Sequence, residues 1–364
     1  MRILLIGGTG FVGSFLAPEL QRRGAEVATL TRGRSPIAHA DGLTRIIGDR
    51  KRLRDARSSI RAFAPDVVVD LVLSSGTQAR ELMSVLHGIT SRVVAISSMD
   101  VYRACGILHG LEEGPPEPVP LTEDSPLRTK LATYPPAQIA ALQQVFGWLD
   151  DEYDKIPVEQ AVLGHPSLPG TVLRLPMIYG PGDPLHRLWA LVKRMDDRRA
   201  AILMDARVAA WRSPRGYVEN VAEAIALAAM SDRAANRVYN VAEPESYSEL
   251  EWARRVAKVV GWTGDVVALA PAQTPPHLCL PGNFDQHWSA DSTRIRDELG
   301  FKELVGVDEA IRRTVAWERS HPPAAPTMPI DYDAEDAAIA AVRMAAVSDG
   351  STSPGPHRAA TGTS

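Results

Sequence analysis

The chain is poor in the residues that mark disulfide-rich, metal-binding and membrane proteins. It has only two cysteines, and Cys105 and Cys279 lie far apart without a CxxC motif. Its histidines show no HxxxH or HExxH spacing, and no apolar run reaches the length of about 18 residues that a transmembrane helix requires. These absences exclude a disulfide framework, argue against a metal site and predict no transmembrane helix.

Strong charge and a targeting signal are also missing. The net charge is −4, whereas general nucleic-acid binders normally carry a basic surplus. The one strongly basic run, residues 45–61, is interpreted as a solvated helix face. The N-terminus enters an apolar segment without a charged signal region or a small-residue cleavage site. We therefore expect a reduced, cytoplasmic protein without nucleic-acid, membrane or metal partners.

What the chain has is a glycine-rich turn close to its N-terminus. The apolar run Ile3–Ile6 is followed by Gly7, Gly10 and Gly13 in GxxGxxG spacing, then by an amphipathic helix and the strand-like run Glu26–Thr31. The first glycine permits a tight turn, the second lets the backbone approach a pyrophosphate, and the third lets the helix pack closely. Free N–H groups at the helix start favour a phosphate. The pattern predicts a dinucleotide site.

The second strand ends without an acidic residue. In dinucleotide-binding folds an acidic residue at this place binds the ribose 2′-hydroxyl, whereas an arginine accommodates a 2′-phosphate. This chain offers Arg32, the better candidate, and Arg34. We expect NADP to be preferred over NAD, the alternative being that both arginines are exposed loop residues.

Short apolar strands alternate with helices of about ten residues, which predicts an α/β fold with a Rossmann-type, doubly wound parallel sheet and a smaller mixed C-terminal substrate lobe. We expect a dinucleotide-binding domain at 1–176, to which 212–243 returns, a substrate-binding lobe at 177–320 and a flexible tail at 321–364. One helix is predicted over 137–152, a strand at 161–163, and an alanine-rich helix near 335–346.

Seven motifs in order resemble the extended or atypical short-chain dehydrogenase/reductase superfamily, in its NAD(P)-dependent epimerase/dehydratase branch. The resemblance covers about residues 1–320. The motifs are Gly7-Gly-Thr-Gly-Phe-Val-Gly13, Gly48-Asp49, Ile96-Ser-Ser-Met-Asp-Val-Tyr102, Leu173-Arg-Leu-Pro-Met-Ile-Tyr-Gly-Pro-Gly-Asp183, Tyr217-Val-Glu-Asn-Val-Ala222, Val238-Tyr-Asn-Val241 and Asp291-Ser-Thr-Arg-Ile-Arg-Asp-Glu-Leu-Gly300.

The resemblance implies roles for residues at the predicted cofactor site. Asp49 would bond the adenine amino group, and Lys155 would hold the nicotinamide ribose. The remaining cofactor contacts implied by the glycine loop and the strand ends are Thr9, Phe11, Val12, Leu73, Ser97 and Pro176.

The family's catalytic groups are a serine or threonine, a tyrosine and a lysine, the last two spaced YxxxK. Ser98 matches the serine, but the chain has Tyr153-Asp154-Lys155. If Lys155 matches the family's lysine, the tyrosine position holds Asp151; if Tyr153 matches the tyrosine, the lysine position holds Pro157. On an ideal helix Tyr153 and Lys155 would point roughly 200° apart.

Other side chains offer further candidates. Tyr102, Tyr134 or a carboxylate could move the proton instead of Tyr153. Substrate contacts are expected from Tyr102, Tyr179, Arg212 and Arg215, because a guanidinium fork suits a substrate phosphate. The alternative for the arginines is a solvated loop.

The expected function is that of an NAD(P)-dependent oxidoreductase or epimerase-like enzyme acting on a small polar substrate, such as a sugar-linked or nucleotide-linked compound. Its Tyr/Lys pair departs from the family pattern. The alternative is a catalytically silent NADP-binding sensor, scaffold or regulatory protein, because atypical members of the superfamily also lack this pair. The sequence does not determine the oligomeric state, and the resemblance is compatible with a homodimer.

Overall fold

The computed structural model describes residues 1–33, 42–325 and 328–349. The strands are β1 (Arg2–Ile6), β2 (Glu26–Thr31), β3 (Thr44–Ile47), β4 (Val67–Asp70), β5 (Arg92–Ser98), β6 (Gly170–Leu175), β7 (Met177–Tyr179), β8 (Ala201–Asp205), β9 (Arg215–Tyr217), β10 (Arg237–Asn240) and β11 (Asp265–Leu269). The helices are α1 (Gly13–Arg22), α2 (Arg57–Phe63), α3 (Gly76–Leu86), α4 (Arg103–Leu108), α5 (Pro136–Val145), α6 (Lys155–Leu163), α7 (Trp189–Asp196), α8 (Ala206–Ala210), α9 (Val218–Met230), α10 (Glu249–Val260), α11 (Thr293–Leu299), α12 (Val307–Ser320) and α13 (Tyr332–Asp349).

Seven strands form one parallel sheet in the order β10-β6-β5-β4-β1-β2-β3. The chain runs outward from β1 to β3 on one side and from β4 to β10 on the other. The order therefore reverses between β1 and β4, where Ile6 is the partner of Asp70. In such sheets ligands bind outside the carboxyl ends of the strands at this reversal. The predicted doubly wound fold is confirmed.

Two layers of helices cover the sheet. On one face α1 and α9 pack over Ile3 and Leu5, and on the other α3 and α6 pack over Leu4 and Ile6. All four of these β1 side chains are at most 1% exposed. Burial on both faces explains why the strand is a continuous apolar run, and each such side chain contributes about 1.5–3 kcal/mol.

The chain between β5 and β6 differs from the prediction. The helix expected over 137–152 ends at Val145, and a separate helix begins at Lys155, with the Asp154 carboxylate accepting a hydrogen bond from the Ile156 N–H at 2.9 Å. The strand predicted at 161–163 was wrong, because these residues form the last turn of α6. A short apolar run alone does not distinguish a buried helix from a strand.

The smaller sheets lie in the C-terminal half. β7 pairs with β9 and β8 with β11, both parallel. A separate apolar cluster joins Tyr179 and Tyr217 to Trp252 of α10 and Ile311 of α12. No helix in the described ranges is long and apolar enough to cross a membrane.

The C-terminal helix α13 docks through a buried carboxylate. Glu335 is fully buried and accepts a hydrogen bond from Arg194 Nη2 of α7 at 2.5 Å, with His277 Nε2 at 3.1 Å. Ile339 and Val342, on the same helix, pack against the apolar side chains of β8 and β11. A buried ion pair contributes to specific docking only while both partners remain.

We expect Glu335→Ala to release α13. The substitution leaves the Arg194 guanidinium, which is 5% exposed, without its carboxylate, and breaking a buried pair costs about 3–5 kcal/mol. Hydrogen exchange of the α13 amides should accelerate accordingly. The control is Asp336→Ala, whose side chain is 60% exposed and whose loss should cost at most about 1 kcal/mol. Equal exchange in both variants would contradict this assignment.

Candidate active site

The glycine turn between β1 and α1 is shaped by close backbone approach. Gly7 has φ +88°, a conformation that favours glycine. A Cβ at Gly13 would lie 2.5 Å from the Gly7 carbonyl oxygen, so only glycine lets α1 begin against this turn. Helix α1 has no side-chain cap among the described residues and no acidic residue in its first turn. The positive end of the helix dipole therefore faces no competing carboxylate from this turn and suits a phosphate.

The residues around this turn face both halves of the molecule. Thr9 and Gly10 are exposed, whereas Phe11 and Val12 are half-buried. Phe11 packs against the apolar cluster of the C-terminal half, and a Cβ at Gly182 would lie 3.6 Å from its ring. The turn therefore borders the loop that follows β7.

The predicted adenosine side lies at the ends of β2 and β3. Arg32 is exposed directly after β2. Asp49, two residues after β3, accepts a hydrogen bond from the Lys51 N–H at 2.9 Å and so caps the short 3-10 helix Arg50–Ala56. Arg34 lies outside the described residues.

Lys155 lies at the carboxyl ends of β4 and β5. Its ammonium group donates hydrogen bonds to the carbonyl oxygen of Leu73 and, at 3.0 Å, to that of Ile96. Burial lowers the pKa of Lys155 to about 8, against the opposing effect of nearby carboxylates such as Asp100 and Asp70. Lys155 thus links the two strand ends next to the reversal of strand order.

Tyr153 lies beside Lys155, which corrects the expectation from ideal helix geometry. Tyr153 precedes the first residue of α6, so the angle of roughly 200° between helical side chains does not apply. The Lys155 Nζ atom lies 5.7 Å from the centre of the Tyr153 ring. The Tyr153 hydroxyl donates to Asp100 Oδ2 at 2.8 Å. Burial, followed by the charge of Asp100, raises the pKa of Tyr153 well above its usual range.

Asp100, which the sequence pattern did not mark as a site residue, contacts both Ser98 and Tyr153. It lies in the 3-10 helix Met99–Val101 after β5 and is 1% exposed. Its N–H donates to Ser98 Oγ at 3.2 Å, and its carboxylate accepts from Tyr153. Burial raises the pKa of Asp100, although the Tyr153 hydrogen bond acts in the opposite direction. The sequence signal that could have identified Asp100 as a site residue was its place in the Ile96–Tyr102 motif.

Two other predicted residues belong to a buried network behind the site. Ser97 Oγ donates to Glu159 Oε1 at 2.6 Å, and Glu159 also binds Arg174 through Nε at 3.0 Å and Nη2 at 2.8 Å. The Tyr102 hydroxyl donates to Asn240 Oδ1 at 2.6 Å. Burial raises the pKa of Tyr102 to about 12. These side chains join α6, β5, β6 and β10.

The other three predicted substrate residues, Tyr179, Arg212 and Arg215, lie outside this network. Tyr179 is buried and its hydroxyl donates to Glu243 Oε1 at 2.8 Å. Arg215 donates to Glu249 at 2.6 Å, and Arg212 to Glu251 at 2.8 Å. Both guanidinium groups therefore already bind carboxylates.

Pro176 is half-buried between β6 and β7 and packs close to Gly216, because a Cβ added at Gly216 would lie 3.0 Å from the Pro176 ring.

Beside Tyr153 there is a cavity of about 430 Å³. Its lining includes Tyr134, Ile139, Arg80, Glu152 and Tyr153. Within the described ranges no group of three or more His, Cys, Asp or Glu residues could hold a metal ion.

The parallel sheet and the glycine turn are shared with a known protein family. Residues 3–242 match the model of the NAD dependent epimerase/dehydratase family. The chain belongs to this family.

Relatives in the family differ in the activities that their names describe. The chain is 27% identical over 355 residues to 2-alkyl-3-oxoalkanoate reductase of Stenotrophomonas maltophilia, covering 87% of this chain and 99% of that protein. It is 35% identical over 132 residues to the chloroplast stem-loop binding protein of 41 kDa b from Arabidopsis thaliana, covering 32% of this chain and only 34% of that protein.

Solved structures share the fold at lower identity. UDP-glucose 4-epimerase of Thermus thermophilus, in complex with NAD, has a TM-score of 0.58 at 23% identity, covering 88% of this chain and 100% of that chain. dTDP-glucose 4,6-dehydratase of Bacillus anthracis, in complex with NAD, has a TM-score of 0.62 at 15% identity, covering 88% and 97%.

We expect Gly13→Ala to weaken both the fold and nucleotide binding. The new methyl group would press against the backbone of Gly7 and Gly8, which cannot rotate away. Overpacking of this kind costs about 1–3 kcal/mol, measurable by urea unfolding, and NADH binding should fall at least about tenfold. Gly147→Ala is the control, because a Cβ there meets nothing within 4 Å. Unchanged NADH affinity in Gly13→Ala would contradict the assignment of this turn.

Proposed function

We propose that the protein is an NAD(P)-dependent oxidoreductase or epimerase-like enzyme whose substrate is a sugar nucleotide or a similar small polar compound. One observation carries the proposal. Tyr153 contacts both Lys155 and Asp100, and the Asp100 N–H donates to Ser98, despite the altered spacing of the Tyr/Lys pair. They do so at the carboxyl ends of β4 and β5, the edge of the sheet at which this fold binds its ligands.

The residues at the reversal of strand order fit a dinucleotide. The start of α1 would bind the pyrophosphate, Asp49 the adenine, and Lys155 the nicotinamide ribose. Gly13 and the uncapped first turn of α1 support this assignment. When bound, the nicotinamide ring supplies the acceptor or donor of a hydride. The protein's own groups orient the substrate and move its proton.

The proton-moving groups are assigned from their positions. Ser98 lies half-buried at the end of β5 and would orient the substrate oxygen. Tyr153 would exchange a proton with that oxygen, because its hydroxyl group already takes part in a hydrogen bond that can relay a proton. Lys155 would hold the ribose while its positive charge lies near the Tyr153 ring.

We take the substrate class from the relatives, and we assign substrate selection to the part of the chain that follows β6. Structures similar in fold include proteins named for UDP-glucose and dTDP-glucose, and a relative of similar length is named for a 3-oxoalkanoate. These substrates share a hydroxyl or keto carbon that a nicotinamide can oxidise or reduce. We assign substrate selection to residues 177–320, around Tyr179 and Arg215.

A second function is favoured by one observation. The Tyr153 hydroxyl and the Lys155 ammonium both already bind protein groups. A protein that binds the nucleotide without turning over a substrate would also be consistent with this arrangement. NADH binding without turnover of any tested compound would favour that function.

We expect turnover in a panel of UDP-glucose, dTDP-glucose and 3-oxoalkanoates with oxidised or reduced nicotinamide cofactor, followed by cofactor absorbance and product analysis. Tyr153→Phe should lower kcat at least about 100-fold, the usual contribution of a general acid or base, while NADH affinity stays unchanged. Tyr332→Phe, a tyrosine on α13 far along the chain, is the matched control. Equal turnover by wild type and Tyr153→Phe would refute the role of Tyr153.

We further propose that NADP is preferred over NAD, because Arg32 is exposed at the end of β2. A charge-assisted hydrogen bond contributes about 1.5–3 kcal/mol, so Arg32→Ala should weaken NADPH binding at least about tenfold and leave NADH binding unchanged. Fluorescence titration with both nucleotides measures this difference. Arg61→Ala, an exposed arginine on α2, is the control. Equal losses for both nucleotides would contradict a 2′-phosphate contact.

A further inference from the structure

The hydrogen bond between Tyr153 and Asp100 is unusual for a tyrosine expected to act as a base. The Tyr153 hydroxyl donates to Asp100 Oδ2 at 2.8 Å. The other oxygen, Asp100 Oδ1, is buried and accepts no close hydrogen bond among the described residues, although the Tyr134 hydroxyl also interacts with the Asp100 carboxylate. A carboxylate in this position opposes ionisation of the phenol, because two negative charges would then lie side by side.

The charged groups around Asp100 are already partly paired. Arg128 lies against it, donating through Nε to the Asp100 carbonyl oxygen at 2.6 Å, but its Nη2 pairs with Asp154 at 3.2 Å. Lys155 acts on Asp100 through its charge, while its own hydrogen bonds go to main-chain carbonyls.

Two neutral titratable groups complete these surroundings. Tyr134 lies next to Tyr153, with 5.9 Å between the ring centres, and its hydroxyl also interacts with Asp100; burial, followed by the charge of Asp100, raises the pKa of Tyr134 well above its usual range. The Cys105 thiol is buried, and the negative charge of Asp100 acts on it. Asp100 can therefore gain or lose a proton without breaking the Arg128–Asp154 ion pair or the two hydrogen bonds of Lys155.

We propose that Asp100 is the positioning residue for Tyr153 and receives its proton. The inference rests on the proposed function. When the substrate hydroxyl O–H bond breaks, its electron pair stays on the substrate oxygen and its proton forms a new O–H bond on the Tyr153 oxygen. At the same time the original Tyr153 O–H bond breaks, and that proton bonds to Asp100 Oδ2. The phenol remains neutral, Asp100 becomes neutral, and the reverse step restores both groups.

This relay removes the need for a preformed phenolate. In the YxxxK pattern the lysine favours the ionised tyrosine, whereas here the nearest charged partner of the hydroxyl is an anion. A neutral tyrosine can still transfer a proton if it passes its own proton onward in the same step. Asp100 is placed to accept it, since its carboxylate already forms the required hydrogen bond.

A second tyrosine–carboxylate pair provides an internal control. The Tyr179 hydroxyl donates to Glu243 Oε1 at 2.8 Å, and Glu243 Oε2 is likewise buried without a hydrogen-bond partner in the described part of the chain. The two pairs share this oxygen–oxygen distance of 2.8 Å. The Tyr179 ring packs against Trp252, with 5.2 Å between the ring centres.

The test is a carbon-13 NMR titration of labelled tyrosine and aspartate side chains in the full-length protein. In Asp100→Asn the Tyr153 phenol should ionise at a pH lower by about one to two units, because a unit charge has been removed from its hydrogen-bond partner. Tyr179 should titrate as in the wild type. In Glu243→Gln the Tyr179 phenol should ionise at a lower pH, whereas Tyr153 should titrate as in the wild type.

The reciprocal variant keeps the test decisive if Asp100→Asn does not fold. In Tyr153→Phe the carboxylate loses a donor to its ionised form, so the Asp100 pKa should rise. Unchanged titration of Tyr153 in a folded Asp100→Asn protein, or of Asp100 in Tyr153→Phe, would overturn the inference.

Turnover separates a relay from a structural hydrogen bond. With a substrate from the panel, Asp100→Asn should lower kcat about 100-fold with little change in KM, and Asp100→Glu should restore part of the rate. Wild-type kcat in folded Asp100→Asn would overturn the relay. If the wild type turns over no compound, the proposed function fails, whereas the titrations still decide whether Asp100 controls the ionisation of Tyr153.

Discussion

The Lys155 ammonium group is a buried charge whose solvation is replaced by two main-chain carbonyl oxygens. Removing such a charge from water is costly unless hydrogen bonds compensate, and the carbonyls of Leu73 and Ile96 provide them at adjacent strand ends. This requirement fixes where α6 begins relative to the sheet. The N-cap Asp154 and the preceding Tyr153 are placed by the same constraint, so the proton-transfer groups depend on it.

The segment before α6 explains how the family spacing could change. Helix α5 ends at Val145, and the following residues run in a loop to Asp154 rather than in a helix. In that loop Asp150 accepts a hydrogen bond from Ser75, the N-cap of α3. Outside a helix, residues two apart are not held on opposite faces, so Tyr153 can lie next to Lys155 although the YxxxK spacing is absent.

The sequence predicted the parts of the molecule that local pattern determines. The glycine turn, the continuous apolar strands and the arrangement of the sheet follow from residues adjacent in the chain. The relation between Tyr153 and Lys155 could not be predicted, because it depends on where one helix ends and the next begins. Asp100 was missed because its partner Tyr153 lies 53 residues away, and only tertiary contact shows that the carboxylate faces a hydroxyl group. The docking of Glu335 on Arg194 likewise joins residues far apart in the chain, 141 positions from one another.

Apart from Lys155, which is assigned to the ribose and begins α6, the proposed nucleotide contacts and the proton-transfer groups belong to different elements of this chain. The site at Gly7 to Gly13 and at the ends of β2 and β3 depends on the conformation of the main chain. The Tyr153–Asp100 pair depends instead on where α5 ends and α6 begins. A change at that boundary can therefore alter or abolish the chemistry while the nucleotide site persists. Members of one family that keep the turn but differ in their Tyr/Lys spacing are then expected to differ in reaction more than in cofactor. For this reason turnover, rather than nucleotide binding, distinguishes an enzyme from a silent binding protein.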